Sequence, residues 1–206
     1  MDDLENILTA LADERPLFHS EADFQHALAW HIHENYTDAK VRLEYPAVGS
    51  KGRIYLDIYV ELGEKRIGIE LKYKTKSYEA KIGDDLFKLK NQGAHDVARY
   101  DLSSDLMRLE GLLESEQIDY GYVVFLTNDL SYCNDTGRTG RMDEDFRIHE
   151  NNSLSGILRW AKHTSAGTMK GHENEIQLNG SYHCRWSFYS EGDNHSFKYL
   201  FLKLIK

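Results

Sequence analysis

The chain has 206 residues, 41% hydrophobic and 29% charged, with two prolines and fifteen glycines. That mixture excludes collagen-like and proline-rich disordered classes and predicts a single domain over residues 1–206. Cys133 and Cys184 are too few for a disulfide framework or a four-cysteine zinc cage.

No apolar run reaches the roughly 18 residues of a membrane span. The N-terminus is acidic and lacks the basic region of a signal peptide, so a cytoplasmic setting without a membrane partner is expected. The formal charge of −9 is unevenly spread. Lys40–Lys90 holds twelve Lys/Arg against eight Asp/Glu, about +4, and the remainder carries about −13. A basic strip in an acidic chain suits nucleic acid held at one face, and it equally suits an ordinary solvated face.

Leu4, Ile7, Leu8 and Leu11 predict an amphipathic helix over Met1–Ala12. Ser20 followed by Asp23 marks a capped start, and Phe24, Leu28, Ile32 and Trp30 predict a second helix to about Tyr36. Val41–Tyr45 reads as a short strand stopped by Pro46. Arg53–Glu61 and Lys65–Lys74 alternate about a glycine turn and predict a hairpin. A polar helix is expected around Asp84–Tyr100, then a leucine-periodic one through Leu102, Leu106, Leu109 and Leu113. Tyr120–Leu126 reads as a buried strand, Asn128–Arg141 as loop, Leu154–Ala161 as a short helix, and Ser181–Tyr189 and Phe197–Ile205 as strands. The fold class is therefore α/β, a central mixed sheet flanked by helices, with a β-rich C-terminal elaboration over about 127–206.

A type II′ turn with Gly63 and Glu64 at its centre makes opposed residues sum to 127. Val60 then faces Ile67, Ile58 faces Ile69, Leu56 faces Leu71 and Ile54 faces Tyr73, one apolar row for the core. The other face sets Asp57 opposite Glu70, with Lys72 two residues beyond. Two carboxylates across a ladder repel, and a divalent cation between hard oxygen ligands would offset that cost.

Asp57 followed by Glu70-Leu71-Lys72 resembles the signature of the PD-(D/E)XK nuclease superfamily, the restriction-endonuclease-like fold. The resemblance spans about residues 20–126 and includes the αβββαβ order of that core. Glu21, in SEADFQHALAW, resembles the additional acidic residue of the family's first helix. Gln92, in KLKNQGAHDVARYD and expected on the helix after the hairpin, resembles a glutamine that some branches set beside the site. Leu56 departs from the pattern, which has proline before the aspartate.

The resemblance implies a Mg²⁺-dependent DNA endonuclease, with Mn²⁺ able to substitute. Asp57, Glu70, the Leu71 carbonyl and Glu21 would hold metal, and Lys72 would stabilise or deprotonate the attacking water. Lys74, Lys76 and Lys81, just beyond the motif, are expected to steer the DNA backbone, as are Arg138 and Arg141 in the glycine-containing loop. A non-cleaving nucleic-acid binder, a protein-interaction module of the same fold, a junction resolvase and a homodimer all stay open. His31 and His33, two apart on a helix, are expected as exposed residues on different faces rather than a zinc pair.

Overall fold

The protein is described here from a computed structural model covering residues 4–49, 52–192 and 195–206. Two helices, α1 (Leu4–Glu14) and α2 (Glu21–Asn35), precede β1 (Lys40–Gly49), β2 (Gly52–Leu62) and β3 (Lys65–Lys74). A small hairpin, β4 (Tyr78–Ile82) and β5 (Asp85–Leu89), leads to the long helix α3 (His95–Glu114) and then to β6 (Tyr120–Thr127). The C-terminal part contributes β7 (Ser153–Leu158), the short α4 (Ala166–Met169), β8 (Ile176–His183), β9 (Trp186–Gly192) and β10 (His195–Ile205). No helix among the described residues is long and apolar enough to cross a membrane.

Among the described residues the main sheet has six strands in the order β1-β2-β3-β6-β10-β9. Strands β3 and β6 run parallel and the other neighbours antiparallel, so the sheet is mixed. Alternation along β6 sends Tyr122, Val124 and Leu126 towards α1 and α2, and Val123 and Phe125 towards α3. Helices therefore cover both faces, as the near-continuous apolar run of β6 requires. The segment after Thr127, expected as an elaboration, supplies β9 and β10 to this same sheet.

The expected first helix is present from Leu4, with Leu4, Ile7, Leu8 and Leu11 buried; its residues Met1–Asp3 lie outside the described residues. Ser20 caps α2, its Oγ accepting the Asp23 N–H at 3.1 Å. Trp30, expected on the apolar face, is 64% exposed. His31, expected exposed, is buried beside Ile32, and His33 is exposed.

The β2–β3 hairpin has the expected register from Leu62–Lys65 to Ile58–Ile69, and Gly63 adopts φ +58°. The ladder stops there. The pairs Leu56–Leu71 and Ile54–Tyr73 do not form, and Asp57 does not face Glu70 across the sheet. Strand β2 instead continues with β1 as a two-stranded arm, paired as far as Gly49–Gly52. Strand β1 consequently runs through Pro46, which sits on an edge strand where a missing N–H costs nothing.

Two further expectations fail where a glycine with positive φ shapes a hairpin in place of a helix. The segment expected as a helix from Asp84 is the β4–β5 hairpin, turning at Gly83 (φ +58°). Tyr78 pairs with Leu89 and Ala80 with Phe87, a period of two, and the helix begins only at His95. The segment Leu154–Ala161 is strand β7: Leu154 and Leu158 are buried at i and i+4, but Gly156 at φ +67° forms a bulge in a ladder with β8. The expected strand Ser181–Tyr189 is divided between β8 and β9.

A buried carboxylate ties β8 to α3. Glu110 accepts the N–H groups of Asn179 (2.9 Å) and Gly180 (2.7 Å) and the Tyr182 hydroxyl (2.6 Å). Truncation would leave three donors without a partner, each worth about 1–3 kcal/mol. Glu110→Ala is expected to lower unfolding free energy by roughly 3 kcal/mol, read as a fall in urea midpoint, with Glu110→Gln intermediate. A midpoint unchanged in Glu110→Ala would show that the clamp does not hold the C-terminal segment.

Candidate active site

The departure of β2 from β3 after Ile58 leaves one edge of β3 without a strand. An unpaired backbone edge must find other acceptors, and here three side chains supply them. The Leu71 N–H donates to Asp57 Oδ2 at 2.6 Å, the Tyr73 N–H to Glu21 Oε2 at 2.7 Å, and the Thr75 N–H to Gln92 Oε1 at 3.0 Å. The residues singled out in sequence as Asp57, Glu21 and Gln92 thus stand in a row along β3. Gln92 does so from the loop before α3, not from the helix as expected, and its own N–H donates to the Thr75 carbonyl at 2.8 Å.

Asp57 lies where β2 is irregular on both sides. Opposite it in β1, Glu44 adopts φ +47°, and the regular pairs run Leu43–Ile58 and then Tyr45–Leu56. Gln25, on α2, fills the gap: its amide donates to the Asp57 carbonyl at 2.7 Å and to Glu44 Oε1 at 2.8 Å. Gln25 is buried one turn after the capped start of α2, a position where sequence showed only a polar residue.

Glu70 and Lys72 point towards α3. Glu70 is 1% exposed and accepts from Arg108 Nη2 at 2.7 Å. The same Arg108 nitrogen donates to Asp105 Oδ1 at 2.6 Å, and Asp105 Oδ2 is in close ion-pair contact with Lys72 Nζ. Lys72 Nζ also donates to the Leu71 carbonyl at 3.2 Å. Asp105 and Arg108 were missed in sequence. The available signal was Asp105 itself, a charged residue three after Leu102 and four before Leu109, inside the apolar stripe of α3.

Burial raises the Asp57 carboxyl above its usual range, assisted by the charges of Asp105 and Glu21 and opposed by the Leu71 amide and Lys72. Glu70 is raised well above the usual range by burial and then by Asp105, which together outweigh Arg108 and Lys72. For Lys72, burial opposes the charge, but Asp105, Glu70 and Asp57 more than offset it and hold the ammonium protonated. Lys72 is therefore held as a cation, an arrangement suited to stabilising negative charge.

The chemistry of these groups fits a hard divalent cation. Asp57 and Glu70 offer carboxylate oxygens held above their usual range chiefly by burial, and the Leu71 carbonyl follows Glu70 directly in sequence. Among the described residues no three acidic, histidine or cysteine side chains stand together as a ready cage. Internal partners occupy the donors instead: an amide on Asp57, Arg108 on Glu70, and Lys72 on the Leu71 carbonyl.

Two of the residues expected to steer nucleic acid face carboxylates. Lys74 Nζ lies 3.9 Å from Glu21, and Lys76 pairs with Asp129 at 3.0 Å, so nearby carboxylates answer both charges. Lys81 is exposed on β4. Arg138 is exposed in the loop after β6, whereas Arg141 lines a separate cavity of about 380 Å³ at the start of α3, with His95, Arg99 and Asp143. Burial pushes the Cys133 and Cys184 thiols up to about 12, which makes both poor nucleophiles. Comparison with protein-family models, with curated proteins and with solved structures gives no match.

Proposed function

We propose that this protein is a Mg²⁺- or Mn²⁺-dependent endonuclease of the PD-(D/E)XK type acting on DNA. The observation that carries the reading is the departure of β2 from β3 at Asp57, with Glu70 and protonated Lys72 following on β3. The order α2-β1-β2-β3-α3-β6, interrupted only by the β4–β5 hairpin, agrees with a restriction-endonuclease-like core.

Asp57, Glu70 and the Leu71 carbonyl would hold the ion, with Glu21 beside them on the β3 edge. The bound ion would supply Lewis-acid polarisation of the phosphate and a more acidic water. Lys72, fixed by Asp105, would place its charge against the developing negative charge on phosphorus-bound oxygens. Gln25 and Gln92 position the strand ends that carry these groups and need not touch substrate.

A second reading has its own support. The ion pairs Arg108–Glu70 and Lys72–Asp105 satisfy the centre without any added cation, as expected of a member that binds nucleic acid without cutting it. Incubation of supercoiled, linear and branched DNA with Mg²⁺, with Mn²⁺ and with excess chelator separates the two. Cleavage confined to the metal-containing samples is the expected result. Binding without cleavage in every sample would establish the second reading, and cleavage undiminished by chelator would remove the metal from the mechanism.

A further inference from the structure

A cleft of about 340 Å³ lies between α3 and the free β1–β2 arm, bounded on its third side by residues 171–174. It reaches the catalytic centre through Arg108, which lines the cleft and also donates to Glu70. Its walls are largely apolar: Ile54 from the arm, and Tyr100 and Met107 from α3. Tyr100 is a rigid wall, stacked on Trp160 with ring centroids 5.6 Å apart and donating its hydroxyl to the Asn174 carbonyl at 3.0 Å.

Two features of the cleft lack an internal explanation. Arg108 Nε is buried and has no hydrogen-bond partner among the described residues, an uncommon state for a guanidinium donor. Gly111 lies inside α3, where glycine costs helix stability relative to alanine, yet a Cβ there would meet nothing within 4 Å. No packing constraint demands glycine at this position. Gly111 is part of the cleft's lining, so a larger side chain there adds bulk at its wall.

We propose that this cleft receives an unpaired nucleobase of the strand whose phosphate lies at Glu70 and Lys72, an inference that rests on the endonuclease reading above. A phosphate would gain little against Ile54, Met107 and Tyr100, whereas a base offers a flat apolar face to such walls and polar edges to donors. Arg108, Ser104 and the Asp101–His172 pair (3.2 Å) all line the cleft and bring polar groups to it. A paired base stacked in a duplex cannot enter a cleft walled on three sides without leaving its stack, so the substrate class is single-stranded or locally unpaired DNA.

The test uses the full chain in chelator, so that nothing is cut, and a fluorescent twelve-nucleotide single strand as probe. Anisotropy titrations compare this strand with an abasic strand of equal length and with the duplex. Wild-type protein is expected to bind the base-bearing strand roughly tenfold more tightly than the abasic one, in line with the effect of losing one stacked base. Gly111→Leu is expected to melt at or above the wild-type temperature and to keep the wild-type response of melting temperature to Mn²⁺, while losing that preference. Gly111→Ala should fall between.

Equal affinity for base-bearing and abasic strands, tighter binding of the duplex, or an unaltered preference in Gly111→Leu would each overturn the proposal. Failure of the endonuclease reading has a different signature: wild-type protein would neither bind any of the three probes nor shift its melting temperature with Mn²⁺.

Discussion

Lys72→Met is expected to abolish metal-dependent cleavage and also to destabilise the fold. Only the first effect is visible from the motif. Lys72 is the ion-pair partner of buried Asp105, which keeps Arg108 on its other oxygen, so removal of Lys72 should cost less than the about 3–5 kcal/mol typical of a buried charge left with no partner. A lost activity in the single variant would thus mix chemistry with unfolding. Lys72→Met combined with Asp105→Asn removes both charges together and should recover most of the melting temperature. Its cleavage rate should still fall about 10²–10³-fold, the usual effect of deleting one group that stabilises transition-state charge. A double variant that folds and cuts within about threefold of wild type would show that Lys72 is a strut for Asp105 and nothing more.

The second large effect is an inversion of stability by metal. In the metal-free protein Asp57→Asn should melt above wild type, because burial and the charges of Asp105 and Glu21 disfavour the Asp57 carboxylate. The asparagine carbonyl can still accept the Leu71 N–H, so shape is retained. A carboxyl whose pKa is higher in the folded chain stabilises the fold when protonated, and this contribution is lost as pH rises from its unfolded value, about 4, through the folded one. The advantage of the variant should therefore be small near pH 4 and grow towards neutrality.

Adding Mn²⁺ reverses the order. An ion that binds only the folded state adds about 2.7 kcal/mol at 100 Kd, or roughly 5–10 °C for a chain of this size, and the variant should forfeit most of it. Melting curves of both proteins over a metal titration at two pH values measure all of this. A wild type indifferent to divalent ions, with a variant less stable throughout, would make Asp57 a structural acceptor for the β3 edge and the endonuclease reading wrong.

Local pattern alone located the hairpin turn at Gly63, the cap at Ser20, the buried stripe of α3 and the central strand β6, because each is a signal carried by neighbours in the chain. Hairpin register also picked out Asp57, Glu70 and Lys72, and the resemblance to the nuclease superfamily added Glu21 and Gln92; these residues do gather about β3. Spacing misjudged how Asp57 and Glu70 meet. A hairpin register extends indefinitely on paper, whereas the real β2 leaves β3 after Ile58 to stay with β1, and no feature of β2 and β3 alone reports that competition. The fate of the charges was equally hidden. Asp105 and Arg108 lie more than thirty residues from Glu70, and only the packing of α3 across the sheet brings their side chains within 3 Å of one another and of the motif. Residue type and short-range spacing determined which groups could do chemistry. Long-range packing decided which of them are buried, which are paired, and where an open cleft remains beside them, because burial and ion pairing depend on distant parts of the chain converging.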